Sequence, residues 1–371
     1  MEFDLSKAQK LLQDSARTFF KRSCPTEKVR ELISMPTAHD PSLWTEMADQ
    51  GWTGITLAEE RGGIGLGLVD LAALAEEMGR ACLPGPFLSN FWATSLLAHA
   101  DNANAADPFL EAIAEGKLIG TVAYLEEGAS WCPNHVQAKA EKQGDALVLN
   151  GTKMFVGDAA ATGLILCVAR MGDGLVVAPI TQTQEGVTVT ATPGIDEGRK
   201  LYEIALKNVK VPASSIVALG KGARDAIERS IAEASVFVCA EAVGLMQWML
   251  ETAVEYAKTR QQFDKPIGSF QAVQHQCADM LMYTESARSA AYYAAWTLQE
   301  SHPDADKALA IAKAYCSDAV RETANRCCQV HGGIGFTWEH DLHLYYKRAK
   351  SAELLFGDAS SHREKLASLV L

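Results

Sequence analysis

The sequence predicts an α+β protein that is mainly helical and built from three consecutive parts. A chain of 371 residues is longer than one typical hydrophobic core requires. Apolar residues recur at helical spacing near both ends, whereas the middle carries short runs rich in β-branched residues. These observations predict an N-terminal helical domain over 1–116, a middle β domain over 117–217 and a C-terminal helical bundle over 218–371.

Composition and charge exclude several kinds of protein. The formal net charge of −12 argues against a nucleic-acid partner, although a few arginines can still bind an anionic small ligand. The nine cysteines contain no C-x-x-C pair, which indicates reduced thiols in a cytoplasm. Neither His331 nor His275 has a partner at metal-ligand spacing, so no metal site is predicted. Neither an export signal nor a membrane span is expected from the apolar pattern.

The first part is expected to be helical. Residues 5–22 form a helix-like stretch that Ser6 can cap, and residues 41–50 form a short amphipathic one. Residues 69–79 are predicted to form a helix that ends at Gly79. A glycine-rich turn at 60–65 lacks the preceding strand that a dinucleotide-binding fingerprint requires.

The middle part changes to strand-like spacing. Short runs of β-branched residues fall at 118–124, 164–169, 175–178, 187–189 and 201–211. Asn150-Gly151 lies between two further runs and is the sequence of a tight hairpin turn. Because no helical pattern separates the runs, we expect a small antiparallel β-barrel rather than a doubly wound sheet.

The last part returns to helical spacing. One apolar stripe is formed by Val243, Met246, Leu250, Ala253 and Ala257. Long helices are predicted over 271–299 and 306–329. Several long helices with short connections favour a bundle.

Three groups of motifs span nearly the whole chain. The first is Trp44-x-x-Met47-x-x-x-Gly51-Trp52, followed by Glu59-Glu60-Arg61-Gly62-Gly63-x-Gly65 and Glu76-Glu77-Met78-Gly79. The second is Tyr256-Ala257-x-x-Arg260-x-Gln262-Phe263-x-x-Pro266-Ile267-x-x-Phe270-Gln271. The third is Gln329-x-His331-Gly332-Gly333-x-Gly335-Phe336. In these motifs and their order, the chain resembles the acyl-CoA dehydrogenases, flavoproteins that remove hydrogen across the Cα–Cβ bond of an acyl-CoA thioester.

The residue types of the last two motifs suit a diphosphate. Arg260 presents a planar, permanently charged fork, Gln262 offers amide donors, and Phe263 offers a face for stacking. The absence of side chains at Gly332-Gly333 lets a backbone approach a ligand closely. Taken singly, the arginine also fits a solvated surface and the glycines an ordinary turn. Their joint appearance favours binding.

The resemblance implies an FAD that lies across a subunit interface. In proteins of this type, the β domain and terminal helix of one subunit surround the flavin ring. The neighbouring subunit donates residues to the pyrophosphate and adenosine. This chain keeps the donated set, which we name the clamp: Arg260, Gln262, Phe263, Gln329, Gly332 and Gly333. One departure is Asp264, where the family usually has glycine.

The residues that would face the flavin depart from the family. The usual Thr-Glu-Pro turn corresponds to residues 124–130, which read YLEEGAS. The usual Lys-Trp-Phe-Ile-Thr stretch corresponds to residues 153–157, which read KMFVG. Phe356 stands where the family has its catalytic glutamate, and Asp358 stands where a threonine or serine follows.

The identity of a catalytic base is therefore open. A carboxylate must reach the Cα proton with a raised pKa, and phenylalanine accepts no proton. Asp358 is one candidate, and its alternative roles are helix capping or salt bridging. Some relatives carry the base on the first long helix, at the position that Ala234 occupies here. The adjacent Glu233 is therefore a second candidate. The alternative interpretation of Glu233 and Glu241 is ordinary helix surface.

Two main hypotheses for the function follow from these residues. In the first, the chain supplies the clamp to a related subunit that carries the glutamate and the flavin ring. This pattern is similar to the smaller subunits of heteromeric bacterial acyl-CoA dehydrogenases of steroid side-chain or pimeloyl-CoA breakdown, and it implies an α2β2 heterotetramer. In the alternative, the chain is a self-sufficient homo-oligomer with Asp358 or Glu233 as base. Both imply FAD, an acyl-CoA substrate and transfer to an electron-transfer flavoprotein. An oxidase that uses oxygen is a third interpretation.

Overall fold

The three helices predicted in the first part form, and the structure adds three that the sequence analysis did not predict. The computed structural model describes residues 5–371. Before the sheet it has helices α1 (Lys7–Ser23), α2 (Thr26–Ser34), α3 (Pro41–Asp49), α4 (Leu68–Arg80), α5 (Phe87–Ala98) and α6 (Ala103–Ala114). Ser6 caps α1 through a reciprocal capping box with Gln9, as predicted. The prediction that Gly79 ends a helix is wrong, because α4 continues through it to Arg80.

The middle part forms one sheet. Its strands are β1 (Gly120–Ala123), β2 (Lys139–Gln143), β3 (Ala146–Gly157), β4 (Leu164–Met171), β5 (Gly174–Ile180), β6 (Val187–Thr192), β7 (Leu201–Pro212) and β8 (Ala218–Leu219). The order is β6-β7-β3-β2-β4-β5-β8, with β1 beside β4. Most neighbours are antiparallel, as expected. The sheet is nevertheless mixed, because β1 runs parallel to β4 and β2 also meets β4 in parallel.

The predicted hairpin turn at Asn150-Gly151 is wrong. Both residues lie inside β3, and the register against β7 shifts between Leu149 and Gly151. A Cβ at Gly151 would fall 2.7 Å from the Cβ of Ala138, so the glycine permits a close approach between strands. The Asn150 side-chain oxygen accepts a hydrogen bond from the backbone N–H of Asn208 at 2.8 Å. The pair therefore builds an irregularity within a long strand rather than a turn.

The last part is helical, as predicted. It contains α7 (Gly220–Thr259), a small hairpin of β9 (Gln261–Gln262) and β10 (Lys265–Pro266), and the helices α8 (Gln271–Gln299), α9 (Ala305–His331), α10 (Leu342–Leu354) and α11 (Ala359–Val370). Helix α9 packs against α8, α10 and α11. The predicted apolar stripe of α7 is buried.

The chain divides into two compact units, and neither is continuous in sequence. The helical unit comprises the residues up to Val29, Gly67–Leu83 and Ser235–Leu371. The β unit comprises Arg30–Leu66 and Pro84–Ala234. The division into three consecutive domains stays a prediction.

Helix α7 is the one helix among residues 5–371 that is long and apolar enough to cross a membrane by length and composition. Of its most apolar 18-residue window, 83% is buried within the protein. That burial is typical of a core helix in a folded domain, so composition alone does not indicate a span.

Candidate functional site

The first half of the clamp is a tight turn at the end of α7. Arg260 follows the last helical residue, and its carbonyl accepts a 2.8 Å hydrogen bond from the N–H of Ile267 across the β9–β10 hairpin. At the tip, Phe263 and Asp264 have φ values of 54° and 61°. A two-residue hairpin loop of this kind requires left-handed backbone at both positions. Aspartate enters that region more readily than most residues, so it can replace the glycine usual in the family.

The side chains of this turn face outward from the chain. Phe263 is 84% exposed, and Arg260 and Gln262 are exposed beside it. Transfer of a phenylalanine side chain out of water is favourable, so folding of the chain alone does not explain this exposure. The turn therefore has the chemistry of a contact surface, with a cation, amide donors and an aromatic face together.

The second half of the clamp lies at the end of α9. Gln329 is exposed in the last turn, and Gly332 caps the helix with a φ of 63°. A Cβ added at Gly332 or Gly333 would meet nothing within 4 Å. The conformation of Gly332 explains its glycine, but neither φ nor packing within the chain explains Gly333. An open glycine backbone beside exposed donors fits the close approach of an external diphosphate, so the residues present fit FAD.

The structure brings the two halves together through an aromatic stack. The ring of Tyr256 lies on that of His331, with centroids 4.6 Å apart and planes 23° apart. Tyr256 is one helical turn before Arg260, and its carbonyl accepts a 2.8 Å bond from the Arg260 N–H. His331 directly precedes Gly332. The two motifs therefore share one region of the helical unit, a neighbourhood that sequence spacing did not reveal.

His331 and His340 pack against each other beside the clamp. Within residues 5–371, no three His, Cys, Asp or Glu side chains are grouped to hold a metal ion. His331 uses its Nδ1–H to donate to the carbonyl of Cys327 at 2.8 Å. His340 packs edge-to-face on it at 4.6 Å, and His275 is exposed elsewhere on α8.

Phe356 occupies a fixed loop between α10 and α11. Its side chain is 3% exposed, and its φ is 57°, a left-handed conformation that is unfavourable for a bulky residue. Its carbonyl accepts a 2.9 Å hydrogen bond from Nε2 of His362, and Gly357 follows with a φ of 98°. The loop therefore keeps a strained backbone although it presents no carboxylate at this position.

A buried lysine that no sequence motif singled out holds the same loop. The Nζ of Lys313 donates to the carbonyl of Gly357 at 2.8 Å and to that of Glu353 at 3.2 Å. It also donates to the Ser317 hydroxyl at 2.8 Å. Burial lowers the pKa of Lys313, although nearby thiols and carboxylates oppose this shift. A lysine among alanines on the inner face of α9 was the available signal.

Asp358 is the N-cap of α11. Its carboxylate accepts 2.6 Å and 2.8 Å hydrogen bonds from the hydroxyl and the backbone N–H of Ser361. These two bonds hold the pKa of Asp358 below its usual range. The observed role is the capping that the sequence left open, and a lowered pKa is opposite to what a base for a Cα proton needs.

The capping role predicts the phenotype of Asp358 variants. Asp358→Ala should cost about 1 kcal/mol of stability, whereas Asp358→Asn should cost little because asparagine also caps helices. Since the folded pKa lies below the unfolded one, the carboxylate's contribution is complete at neutral pH and is lost as the pH falls through the folded pKa. Urea unfolding midpoints at neutral and acidic pH measure this. A loss of turnover by several orders of magnitude in Asp358→Asn, with stability retained, would instead assign the base role to Asp358.

The interpretation of Glu233 and Glu241 as ordinary helix surface is wrong. Glu233 is 6% exposed and accepts hydrogen bonds from the Ser95 hydroxyl at 2.6 Å and from His99 Nε2 at 2.9 Å. Arg229 Nε adds a third at 2.8 Å. Burial raises the pKa of Glu233, but these partners outweigh it, and the pKa is lowered. Glu241 is buried against Arg348. Both carboxylates are committed to charged partners inside the protein.

An ion pair joins the two stretches that were expected to face the flavin. Lys153 is fully buried, and its Nζ lies 2.7 Å from Oε1 of Glu126. Glu126 also accepts hydrogen bonds from the backbone N–H groups of Gln137 and Ala138 at 2.7 Å and 2.9 Å. This pair holds the 124–130 stretch against β3, although the residue types of both stretches depart from those usual in the family.

Several side chains around this ion pair differ from those usual in the family. The rings of Tyr124 and Trp131 stack with centroids 5.9 Å apart, and the Tyr124 hydroxyl donates to the Trp131 carbonyl at 3.0 Å. At Gly157, where the family usually has threonine, a Cβ would fall 2.5 Å from the Ser89 hydroxyl. Ser89 itself donates to Asp158 at 2.7 Å. A threonine would therefore require Ser89 to move.

The fold and these motifs together define a flavoprotein of the acyl-CoA dehydrogenase class. Family models described as "Acyl-CoA dehydrogenase, N-terminal domain" and "Acyl-CoA dehydrogenase, C-terminal domain" match residues 6–117 and 220–371. The chain is 30% identical to acyl-CoA dehydrogenase IpdE2 of Mycobacterium tuberculosis, over 97% of this chain and 96% of that protein. The chain belongs to the acyl-CoA dehydrogenase family, whose members are oxidoreductases acting on the CH–CH bond of acyl-CoA.

Solved structures with this fold include heteromeric enzymes. A chain of the ChsE4-ChsE5 complex from Mycobacterium tuberculosis superposes with a TM-score of 0.90 at 28% identity, covering 99% of this chain and 98% of that one. A chain of the Tcur3481-Tcur3483 steroid ACAD superposes with a TM-score of 0.88 at 28% identity, covering 98% of each chain. The similarity thus extends to proteins built from two different subunits.

Proposed function

We propose that this chain is a subunit of an FAD-dependent acyl-CoA dehydrogenase and supplies the FAD clamp to a related subunit. The observation that carries the proposal is an asymmetry within the chain. The clamp residues are intact and exposed on one region of the helical unit. At the position of the family's glutamate, by contrast, a buried phenylalanine stands.

Within the clamp, each residue has a distinct task. The Arg260 guanidinium neutralises and hydrogen-bonds the pyrophosphate, while the Gln262 and Gln329 amides orient the nucleotide half. Phe263 provides an apolar face, and the open backbone of Gly332 and Gly333 lets the diphosphate approach. When bound, FAD would supply the acceptor for the hydride that leaves Cβ. The related subunit supplies the carboxylate that removes the Cα proton.

Two kinds of support favour a hetero-oligomer, which we take to be an α2β2 tetramer, over a self-sufficient enzyme. Asp358 caps a helix and Glu233 is bound by three partners, so neither candidate base is poised for proton abstraction. Two of the similar solved structures are named as pairs of different subunits, and one is titled a steroid ACAD. We infer a bulky acyl-CoA substrate of that kind and an electron-transfer flavoprotein as acceptor.

The proposal predicts that the chain purified alone is colourless. Co-expression with a neighbouring gene's related product should give a yellow complex that is active with acyl-CoA and an artificial electron acceptor. In that complex, Arg260→Ala should weaken FAD binding about 10- to 100-fold, because a charge-assisted hydrogen bond is lost. Fluorescence titration of FAD into the deflavinated complex measures this.

Arg363→Ala is the matched control for Arg260→Ala. Arg363 is an exposed arginine of the same unit that pairs with Asp318, remote in sequence from both clamp motifs. The complex that carries Arg363→Ala should bind FAD with the same affinity as the parent complex. Unchanged affinity in Arg260→Ala would sink the clamp assignment, and a yellow, active chain without a partner would establish the self-sufficient alternative.

A further inference from the structure

Two buried thiols meet between α7 and α9 in the helical unit. Cys239 of α7 and Cys316 of α9 are 0% and 1% exposed, and their thiols hydrogen-bond to each other. The Sγ of Cys316 also lies 3.7 Å from the Ala287 carbonyl oxygen, so α8 packs against the same pair. Both residues are free cysteines, and neither belongs to the clamp. The pair is therefore a reactive group that the proposed function does not use.

A lysine makes the two thiols chemically different. Lys313 lies one helical turn before Cys316 on α9, and its ammonium is buried. The hydrogen bond with Cys316 lowers the pKa of Cys239, burial opposes this shift, and the Lys313 ammonium adds to it. The same hydrogen bond raises the pKa of Cys316. Cys239 is thus the sulfur that ionises more readily and acts as the nucleophile, while Cys316 stays protonated beside it.

The thiol pair joins the two helices that carry the clamp. Helix α7 ends directly before Arg260, and α9 ends in the turn that contains Gln329. A second contact joins the same helices closer to the clamp, where the Sγ of Cys327 lies 3.3 Å from the Met249 carbonyl oxygen. A covalent bond between Cys239 and Cys316 would therefore fasten together the two elements on which both halves of the clamp depend.

We propose that hydrogen peroxide converts Cys239 and Cys316 into a disulfide that locks α7 to α9. The Cys239 sulfur attacks one peroxide oxygen, the O–O bond breaks, and a sulfenic acid and one water form. The Cys316 sulfur then attacks the Cys239 sulfur, the S–O bond breaks, and a second water leaves. The two sulfurs give two electrons to the peroxide, and the two thiol protons leave in the two waters. Sulfurs already in hydrogen-bond contact need little movement to reach the S–S distance of about 2 Å.

Burial determines how this lock responds. Peroxide reaches the pair when the helical unit opens locally, so the exposed thiol of Cys132 reacts sooner. Once Cys239 is oxidised, the adjacent Cys316 captures the sulfenic acid before it proceeds to the irreversible sulfinic acid. The disulfide closes a loop of about 80 residues, which restricts the unfolded chain and stabilises the folded one.

The test exposes the co-expressed, FAD-loaded complex to hydrogen peroxide. The remaining thiols are then alkylated in denaturant, and the peptides of this chain are mapped by mass spectrometry. A peptide that links Cys239 to Cys316 should appear, and dithiothreitol should remove it. Oxidation should also raise the urea midpoint of this chain by about 1 M. Hydrogen exchange of its α7 peptides reports that midpoint without a contribution from the related subunit.

Release of FAD gives a second measurement. Because α7 and α9 carry the clamp, the urea concentration that releases FAD should rise with the unfolding midpoint after oxidation. Flavin fluorescence follows this release. This expectation rests on the proposed function, whereas the cross-link and the unfolding midpoint do not.

Cysteine variants connect these effects to the pair. Cys239→Ala and Cys316→Ala should each abolish the cross-link and both shifts. Cys167→Ala is the matched control, because Cys167 is equally buried but lies in the β unit, and it should leave the cross-link and both shifts unchanged.

The results that contradict the lock are distinct from failure of the proposed function. Free thiols at both Cys239 and Cys316 after Cys132 is fully oxidised, even in urea just below the midpoint, would overturn the inference without any variant. A cross-link that leaves the unfolding midpoint unchanged would overturn the locking effect. A raised midpoint with unchanged FAD release would remove the connection to the clamp. The proposed function itself fails only if Arg260→Ala leaves FAD binding intact.

Discussion

Replacing Arg348 by methionine is expected to lower the free energy of unfolding by about 3–5 kcal/mol. Arg348 is 1% exposed, and its Nη1 donates to Glu241 at 3.1 Å and to the Leu83 carbonyl at 2.9 Å. Methionine fills much of the same volume but removes the guanidinium that pairs with the buried Glu241 carboxylate. The urea midpoint, followed by circular dichroism, measures the loss.

Two controls isolate the loss of the buried Arg348–Glu241 ion pair as the cause. Arg348→Met combined with Glu241→Met removes both charges and should recover most of the stability, because an apolar pair often replaces a buried ion pair at little cost. Arg363→Met breaks a partly exposed pair with Asp318 and should cost less than about 1 kcal/mol. An Arg348→Met midpoint close to that of Arg363→Met would contradict the prediction.

Gly244→Ala is expected to cost about 3 kcal/mol, because it separates α4 from α7 within the helical unit. A Cβ at Gly244 would fall 2.7 Å from the Arg80 nitrogen and still closer to the Glu76 carbonyl oxygen. Gly79 stands in the reciprocal position, where a Cβ would fall 3.0 Å from Cα of Glu241. All these neighbours are backbone atoms, so no rotamer change relieves the conflict.

The sign of this effect is informative because helix propensity acts in the opposite direction. Alanine is favoured over glycine in a helix by about 1 kcal/mol, so an uncrowded Gly244→Ala would stabilise the protein. Gly128→Ala is the control, since a Cβ there meets nothing within 4 Å. Its urea midpoint should match the parent. A Gly244→Ala midpoint at or above the parent value would show that the two helices do not cross as closely as described.

Local signals in the sequence were sufficient for most elements of the fold. The Ser6 capping box needs only residues within one turn, and α8 begins and ends at the residues predicted from the sequence. The two glycine-based errors share one cause. Gly79 and the Asn150-Gly151 pair have the local chemistry of a helix end and of a turn. Both glycines instead serve contacts with residues distant in sequence, which no local pattern encodes.

For the site, the sequence by itself supplied the residue types of the proposed clamp and the prediction that Phe356 stands at the position of the family's glutamate. Only the tertiary structure decided how the candidate carboxylates are used. Asp358 caps α11, and Glu233 is enclosed by Ser95, His99 and Arg229. It also decided that Tyr256 meets His331. The reason is physical: a residue type sets what a side chain can do, whereas its burial, pKa and partners depend on segments brought together only by folding.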